Sequence, residues 1–212
     1  MLRYAIVGAS GLIGGFILQE LLDYSDASVT IVGRRMLGIR NPRLNERVVD
    51  FTNQDMLNDA INGFDVVFVA IGTTQKQVNG DLAAYRKVDY DIPVSVATAC
   101  ASNGIPALLF VSSVGANSQS GNFYLRIKGE VEDRIAAMSI PYIGIFQPSL
   151  LLGDRKTFRL GERISQILLP IVSPLMPAKY RPIAASAVAK AMIREAKLNL
   201  LGVKRYNFSS IR

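Results

Sequence analysis

Tyr124 and Lys128 stand four residues apart, the interval at which two side chains share one face of a helix. An ammonium beside a phenol stabilises the phenolate, so the Tyr124 hydroxyl is expected to exchange its proton nearer neutrality than free tyrosine does. Eleven residues before Tyr124 lies Ser113, preceded by Ser112. A hydroxyl there can hydrogen-bond a substrate carbonyl oxygen as negative charge develops on it during hydride transfer. A Tyr-x-x-x-Lys match arises readily by chance and also fits a plain surface pair, so its position matters more than its spelling. It follows an apolar run, Ala107–Ser113, that reads as a strand. The chain has no histidine and a single cysteine, Cys100. A Ser-His-Asp triad, a histidine base, an internal disulfide and a multi-cysteine metal site are thereby excluded, and no metal is expected.

A second chemical feature opens the chain. Tyr4-Ala5-Ile6-Val7 runs into Gly8-Ala9-Ser10-Gly11-Leu12-Ile13-Gly14 and then into a helical pattern. Gly8 suits the tight turn, Gly11 lets backbone approach a pyrophosphate, and Gly14 lets the helix pack closely on the strand. Unpaired N–H groups at the helix start, with Ser10, Leu12 and Ile13 in the loop, would then hold the anion. After the second apolar run stands Gly33-Arg34-Arg35, where a free ribose 2′-hydroxyl usually meets an acid. No acid is there. A guanidinium can pair with a 2′-phosphate and a second can stack on adenine, so NADP(H) is expected over NAD(H), although a solvated basic turn has the same residues. Asp50 could accept from the adenine amine or cap a helix after Phe51. Ala70-Ile71-Gly72-Thr73-Thr74 is small enough for a cofactor to cross a sheet edge, or is simply a turn.

These residues need a scaffold that brings strand ends together. Apolar runs at Tyr4–Gly8, Ser28–Gly33, Arg47–Asp50, Asp65–Ile71, Ala107–Ser113, Pro141–Gln147 and Arg205–Ser209 alternate with helical segments. That pattern predicts an α/β fold: a doubly wound parallel sheet of about seven strands with helices on both faces, whose ligands sit beyond the carboxyl ends of the strands. A helix covers Leu12–Leu22. Another is expected from an Asp91 cap to Asn103, with Pro93 in its first turn and Gly104 past its end. A further helix spans Ala184–Lys197. At 212 residues and 50% hydrophobic composition, with no linker-like stretch, one domain over 1–212 is expected, with 154–182 as a substrate-pocket or interface insertion. Its uncharged run Ser165–Ala178 contains three prolines and is no membrane span. With no leader ahead of the glycine loop, a cytoplasmic location is expected. The net charge of +7 comes without a basic run or interleaved aromatics, so no nucleic-acid partner is expected.

Taken in order, Gly8-x-x-Gly11-x-x-Gly14, Ala70–Thr73, Ser112-Ser113, Tyr124-x-x-x-Lys128 and Gln147-Pro148-Ser149 resemble the short-chain dehydrogenase/reductases, in their atypical NAD(P)-binding branch, along essentially the whole chain. Val32-Gly33-Arg34-Arg35, Val49-Asp50-Phe51, Ile71-Gly72-Thr73-Thr74 and Lys128-Gly129-Glu130-Val131-Glu132 are similar more narrowly to the oxidoreductase HTATIP2 group. The resemblance implies Arg34 and Arg35 at a 2′-phosphate, Asp50 by adenine, Gly72 and Thr73 along ribose, and Lys128 at the nicotinamide ribose. It places the backbone after Gln147, toward Ser149, near the carboxamide. Either Ser112 or Ser113 fills the serine role, Ser113 being preferred. Two functions follow as expectations: an NADPH-dependent reductase of a small hydrophobic carbonyl compound, with Tyr124 as acid, and a non-catalytic NADPH-binding redox sensor. A homodimer or a regulatory protein partner fits either.

Overall fold

In the computed structural model, which describes residues 1–24, 27–153, 177 and 180–211, seven strands lie parallel in one sheet. They are β1 (Arg3–Val7), β2 (Ser28–Gly33), β3 (Leu44–Val48), β4 (Val66–Val69), β5 (Ala107–Val111), β6 (Tyr142–Phe146) and β9 (Gly202–Tyr206), in the order β3-β2-β1-β4-β5-β6-β9. The strand order reverses at β1, where Ile6 pairs with Ile31 of β2 on one side and Phe68 of β4 on the other. Two residues each of β7 (Leu151–Leu152) and β8 (Ile183–Ala184) form a separate parallel pair.

Because successive side chains of a strand point to opposite faces, the continuous apolar runs feed two cores. Tyr4, Ile6, Phe68 and Leu109 pack with α1 (Leu12–Tyr24), α6 (Ala185–Ala196) and α7 (Phe208–Ile211). Ala5, Val7, Val69 and Phe110 pack with α2 (Gln54–Ile61), α4 (Ile92–Ser102) and α5 (Phe123–Ala136) on the other face. Cys100 is fully buried in this second core, and burial pushes its thiol well up. The first core holds one polar chain: the Tyr206 hydroxyl donates to Glu195 at 2.9 Å and meets the Tyr142 hydroxyl at 2.8 Å. Desolvation raises both phenols, which suits neutral hydroxyls spent on hydrogen bonds.

Three expected elements shift. The third strand is Leu44–Val48 rather than Arg47–Asp50, because Val49 and Phe51 are buried beyond the strand, against the second core. The last strand is Gly202–Tyr206 rather than Arg205–Ser209, and Phe208–Ile211 turn into a short helix instead. The largest change concerns Asp91, which caps nothing. The helix begins a further ten residues upstream with α3 (Leu82–Arg86), whose cap Asp81 accepts from Ala83 N at 2.8 Å and Ala84 N at 3.0 Å. A π-helical turn over Lys87–Asp91 joins α3 to α4. Pro93 is therefore interior. It lacks the N–H that would bond the Asp89 carbonyl, and its ring would crowd that carbonyl in a regular α-helix; a wider turn just before it relieves both problems. Gly104, at φ +61°, ends α4 as expected. The stretch 154–182, expected as a substrate-pocket or interface insertion, lies largely outside the described residues.

The β1–α1 junction is the tightest contact in the chain's first half. A Cβ on Gly14 would sit 2.2 Å from the Gly8 carbonyl oxygen, and Gly8 itself has φ +96° with the Ala70 carbonyl 2.5 Å from where its Cβ would be. Gly14→Ala is expected to cost about 1–3 kcal/mol through this backbone clash, read as a lower denaturation midpoint, and to weaken dinucleotide binding with it.

Candidate functional site

At the carboxyl edge of the sheet the glycine loop, the β2 end, the β4 end, the β5 end and α5 converge. Gly11 N donates to the Gly8 carbonyl at 2.9 Å and Gly15 N to the Gly11 carbonyl at 2.9 Å, so the loop closes directly into α1. Ser10 and Gly11 are exposed, whereas Ile13 is buried in the core beneath them. A concave loop at a helix N-terminus, at the strand-order switch, is the geometry that takes a pyrophosphate.

The five arginines between Arg34 and Arg47 have separate roles. Arg47 lies 5.2 Å over the Phe64 ring and donates to the Ala60 carbonyl at 2.9 Å, and Arg43 donates to the Leu22 carbonyl. Arg34 and Arg35 are exposed and carry no ion pair among the described residues. Glu46 of β3 shapes the loop behind them by accepting from Leu37 N and, at 3.1 Å, from Ile39 N. Asp50 accepts from Thr52 N at 2.9 Å and Thr52 Oγ1 at 2.8 Å, and these bonds hold its carboxyl below the usual range. The helix cap considered for Asp50 belongs to Asn53, which accepts from Met56 N at 3.0 Å. Phe51 points into the second core and is buried, so only its backbone faces the edge.

The two serines differ in kind. Ser112 is buried, and its hydroxyl donates to Glu132 Oε1 at 2.5 Å. Ser113 makes only a 3.4 Å contact with its neighbour's carbonyl. Glu132, itself buried, also accepts from Gln147 Nε2 at 2.9 Å and Arg205 Nε at 3.2 Å. One carboxylate thus fastens β5, β6 and β9 to α5, and turns the Gln147 side chain inward while its backbone carries the chain on to Ser149. The Ser149 hydroxyl donates to the Arg181 carbonyl.

Helix α5 starts at the Asn122 cap, which accepts from Leu125 N at 3.1 Å. Gly129 lets the loop after β5 lie on this helix: a Cβ there would be 2.1 Å from Ser118 N. Tyr124, in its first turn, is 38% exposed and reaches the edge, while Lys128 one turn on is 4% exposed. The partner of Lys128 is a carboxylate the sequence did not mark. Asp89 Oδ1 lies 3.0 Å from Lys128 Nζ, and Asp89 Oδ2 accepts from Thr73 N at 2.7 Å. Tyr85, buried in α3, feels the same carboxylate, and desolvation followed by that charge raises its phenol strongly. Asp89 and Tyr85 lie in none of the motifs read from the sequence, and Glu132 stood in the Lys128–Glu132 run with no role assigned to it. The one available signal was Pro93, which forces the wide turn that carries Asp89.

A phosphate cradle, free arginines and a Ser-Tyr-Lys set on one sheet edge define a Rossmann protein of the NAD(P)-binding oxidoreductase type. The chain belongs to the NAD(P)H-binding family, whose pattern matches residues 8–197. It is 34% identical to protein HTATIP2 of Rattus norvegicus over 165 residues, 76% of this chain and 67% of that one. It is 32% identical to the mitochondrial protein FMP52 of Candida albicans over 205 residues, 93% of this chain and 89% of that one. Its fold matches a UDP-N-acetylglucosamine 4-epimerase from Bacillus cereus with TM-score 0.73 at 17% identity, covering 100% of this chain and 82% of the epimerase. At that identity the likeness is one of fold. The mitochondrial designation of FMP52 and of further yeast relatives overturns the cytoplasmic expectation, which rested on the residues ahead of the glycine loop, a weak sorting signal in any case. Among the described residues no helix is long and apolar enough to cross a membrane, and no cluster of three metal-ligating residues occurs.

Removing the Glu132 carboxylate leaves three buried or half-buried donors without their acceptor. Glu132→Ala is expected to cost about 3 kcal/mol in unfolding free energy, and Ser112→Ala, which removes one donor, about 1 kcal/mol, both by denaturant titration.

Proposed function

We propose that the chain is an NADPH-dependent reductase of small hydrophobic carbonyl compounds. The observation that carries this reading is the difference between the two serines: the Ser112 hydroxyl is committed to the buried Glu132, while that of Ser113 has only a long 3.4 Å bond to the adjacent Val114 carbonyl. The described residues fit the cofactor, since the glycine loop is open at its rim and the two arginines after β2 have no competing ion pair. In this reading Gly8, Ser10, Gly11, Leu12, Ile13 and Gly14 hold the pyrophosphate. Arg34 and Arg35 take the 2′-phosphate, Asp50 and the Phe51 backbone lie by adenine, and Ala70, Gly72 and Thr73 follow the ribose.

The nicotinamide ring, when bound, supplies the hydride. Ser113 then donates a hydrogen bond to the carbonyl oxygen, and Tyr124 gives that oxygen its proton as charge builds there. Lys128 holds the ribose hydroxyls from the buried side. The exposure of Tyr124 leaves its hydroxyl open to both substrate and solvent, so a proton lost to product is replaced directly from water.

The second reading, a redox sensor that binds NADPH without turnover, draws on the Asp89–Lys128 pair. A compensating carboxylate weakens the electrostatic help that Lys128 alone would give Tyr124. It uses the same cofactor residues and passes its signal to a protein partner or a second copy of the chain.

Two measurements separate these readings. Under a panel of carbonyl compounds, Tyr124→Phe is expected to lower turnover by about 10²–10⁴-fold with NADPH affinity unchanged. Wild-type protein that binds NADPH tightly yet never oxidises it favours the sensor. Arg34→Ala with Arg35→Ala is expected to weaken NADPH binding by about 10–100-fold, the worth of a charged hydrogen bond of about 1.5–3 kcal/mol, and to leave NADH binding unaltered. Equal affinity of the wild type for the two cofactors would remove the arginine assignment.

A further inference from the structure

Asp89 and Lys128 are the most deeply buried ion pair among the described residues, with side chains 1% and 5% exposed. A pair so placed is stable only if the remaining lone pairs and protons are also satisfied. Asp89 meets that condition with one donor on each oxygen: Lys128 Nζ from α5 on Oδ1 and Thr73 N from the loop after β4 on Oδ2. The Phe110 ring of β5 lies 5.6 Å from the same ammonium. Asp89 owes its place to the π-helical turn Lys87–Asp91, an arrangement that recurs at functional sites because it re-aims one side chain of a helix.

Resting on the cofactor reading above, we propose that Asp89 is the positioning residue of the nicotinamide end of the site, its carboxylate keeping Lys128 charged and locking it in register with Thr73. The two groups it fixes are the ones that reading sets along the nicotinamide ribose. Without the carboxylate, the ammonium would be buried with no counter-charge. It would either leave its position or give up its proton as the pH rises. The other ionisable groups around the pair do not substitute. Glu130 of α5 is taken by Arg86 at 2.6 Å, Arg86 also lies 3.9 Å over the Tyr90 ring, and Glu132 is taken by Ser112, Gln147 and Arg205. Tyr85 is held neutral, Tyr124 is at the exposed end of α5, and Asp91 makes no ion pair among the described residues. Asp89 touches neither cofactor nor substrate in this scheme and acts through Lys128.

The test is a double-mutant cycle of Asp89→Asn and Lys128→Met on the full chain, read by NADPH fluorescence titration across pH and by chemical denaturation. Asp89→Asn is expected to weaken NADPH binding by about tenfold or more, with the loss growing as the pH rises, while wild type changes little. In the Lys128→Met background, Asp89→Asn is expected to change affinity less than about twofold and to lose the added pH dependence. A merely structural role would lower affinity equally at every pH and equally in both backgrounds, and that result overturns the proposal.

Denaturation decides the matter without cofactor. If Asp89→Asn alone folds poorly, the pair assignment requires that adding Lys128→Met restore the denaturation midpoint toward wild type, because the unpaired buried charge is then gone. A double variant no more stable than Asp89→Asn alone overturns it. Failure of the wild type to bind either NADPH or NADH would instead remove the cofactor reading, with the stability cycle still reporting on the pair.

Discussion

Parallel strands all point their carboxyl ends to the same side, and in this chain that constraint governs everything chemical. Seven parallel strands deliver seven chain exits to one edge, and the switch in strand order at β1 opens a crevice between the loops after β1 and β4. Gly8 and Gly14 are the condition for using that crevice. Their backbones meet so closely that a single added methyl at either would strike a carbonyl, and this contact seats the start of α1 over the edge. Once the helix end is fixed there, the arginines after β2, the small residues after β4 and the serines after β5 stand along the same sheet edge.

Two buried carboxylates then hold the elements around α5 together. Glu132 ties α5 to the ends of three strands, and Asp89 ties the same helix to the loop after β4 and to α3. Burying a carboxylate is costly unless several donors meet it; three residues donate to Glu132, and each oxygen of Asp89 has a donor. The arrangement divides labour between neighbouring residues of similar type. Ser112 and the Gln147 side chain are consumed in support, whereas Ser113 is only partly buried and Tyr124 is exposed. Arg43 and Arg47 likewise brace the β2–β3 region while Arg34 and Arg35 face solvent.

Most of the architecture was legible because its signals are local. Continuous apolar runs bounded by glycine mark doubly covered strands, and all seven lie within a few residues of where the pattern set them. Errors fell where a local signal had two meanings. Proline near an aspartate reads as a helix start, yet Pro93 sits inside a longer helix whose true cap is Asp81. Apolar residues such as Val49 and Phe51 read as strand, yet they are buried beyond the edge strand's hydrogen bonds. A location inferred from the residues ahead of the first strand was also overturned, by the designation of the yeast relatives.

The sequence by itself determined the kind of fold, the glycine turn between β1 and α1 and the spacing of Tyr124 and Lys128, because strand periodicity, glycine turns and helical intervals are properties of contiguous residues. Only the tertiary structure decided which of two adjacent serines is tied to a buried carboxylate and what neutralises Lys128. Those answers depend on Glu132, which lies twenty residues from Ser112, and on Asp89, thirty-nine residues from Lys128. Partners that far apart meet only when the strands and helices carrying them are packed, since the pairing energy of buried charges is set by who shares the cavity and not by who is next in the chain.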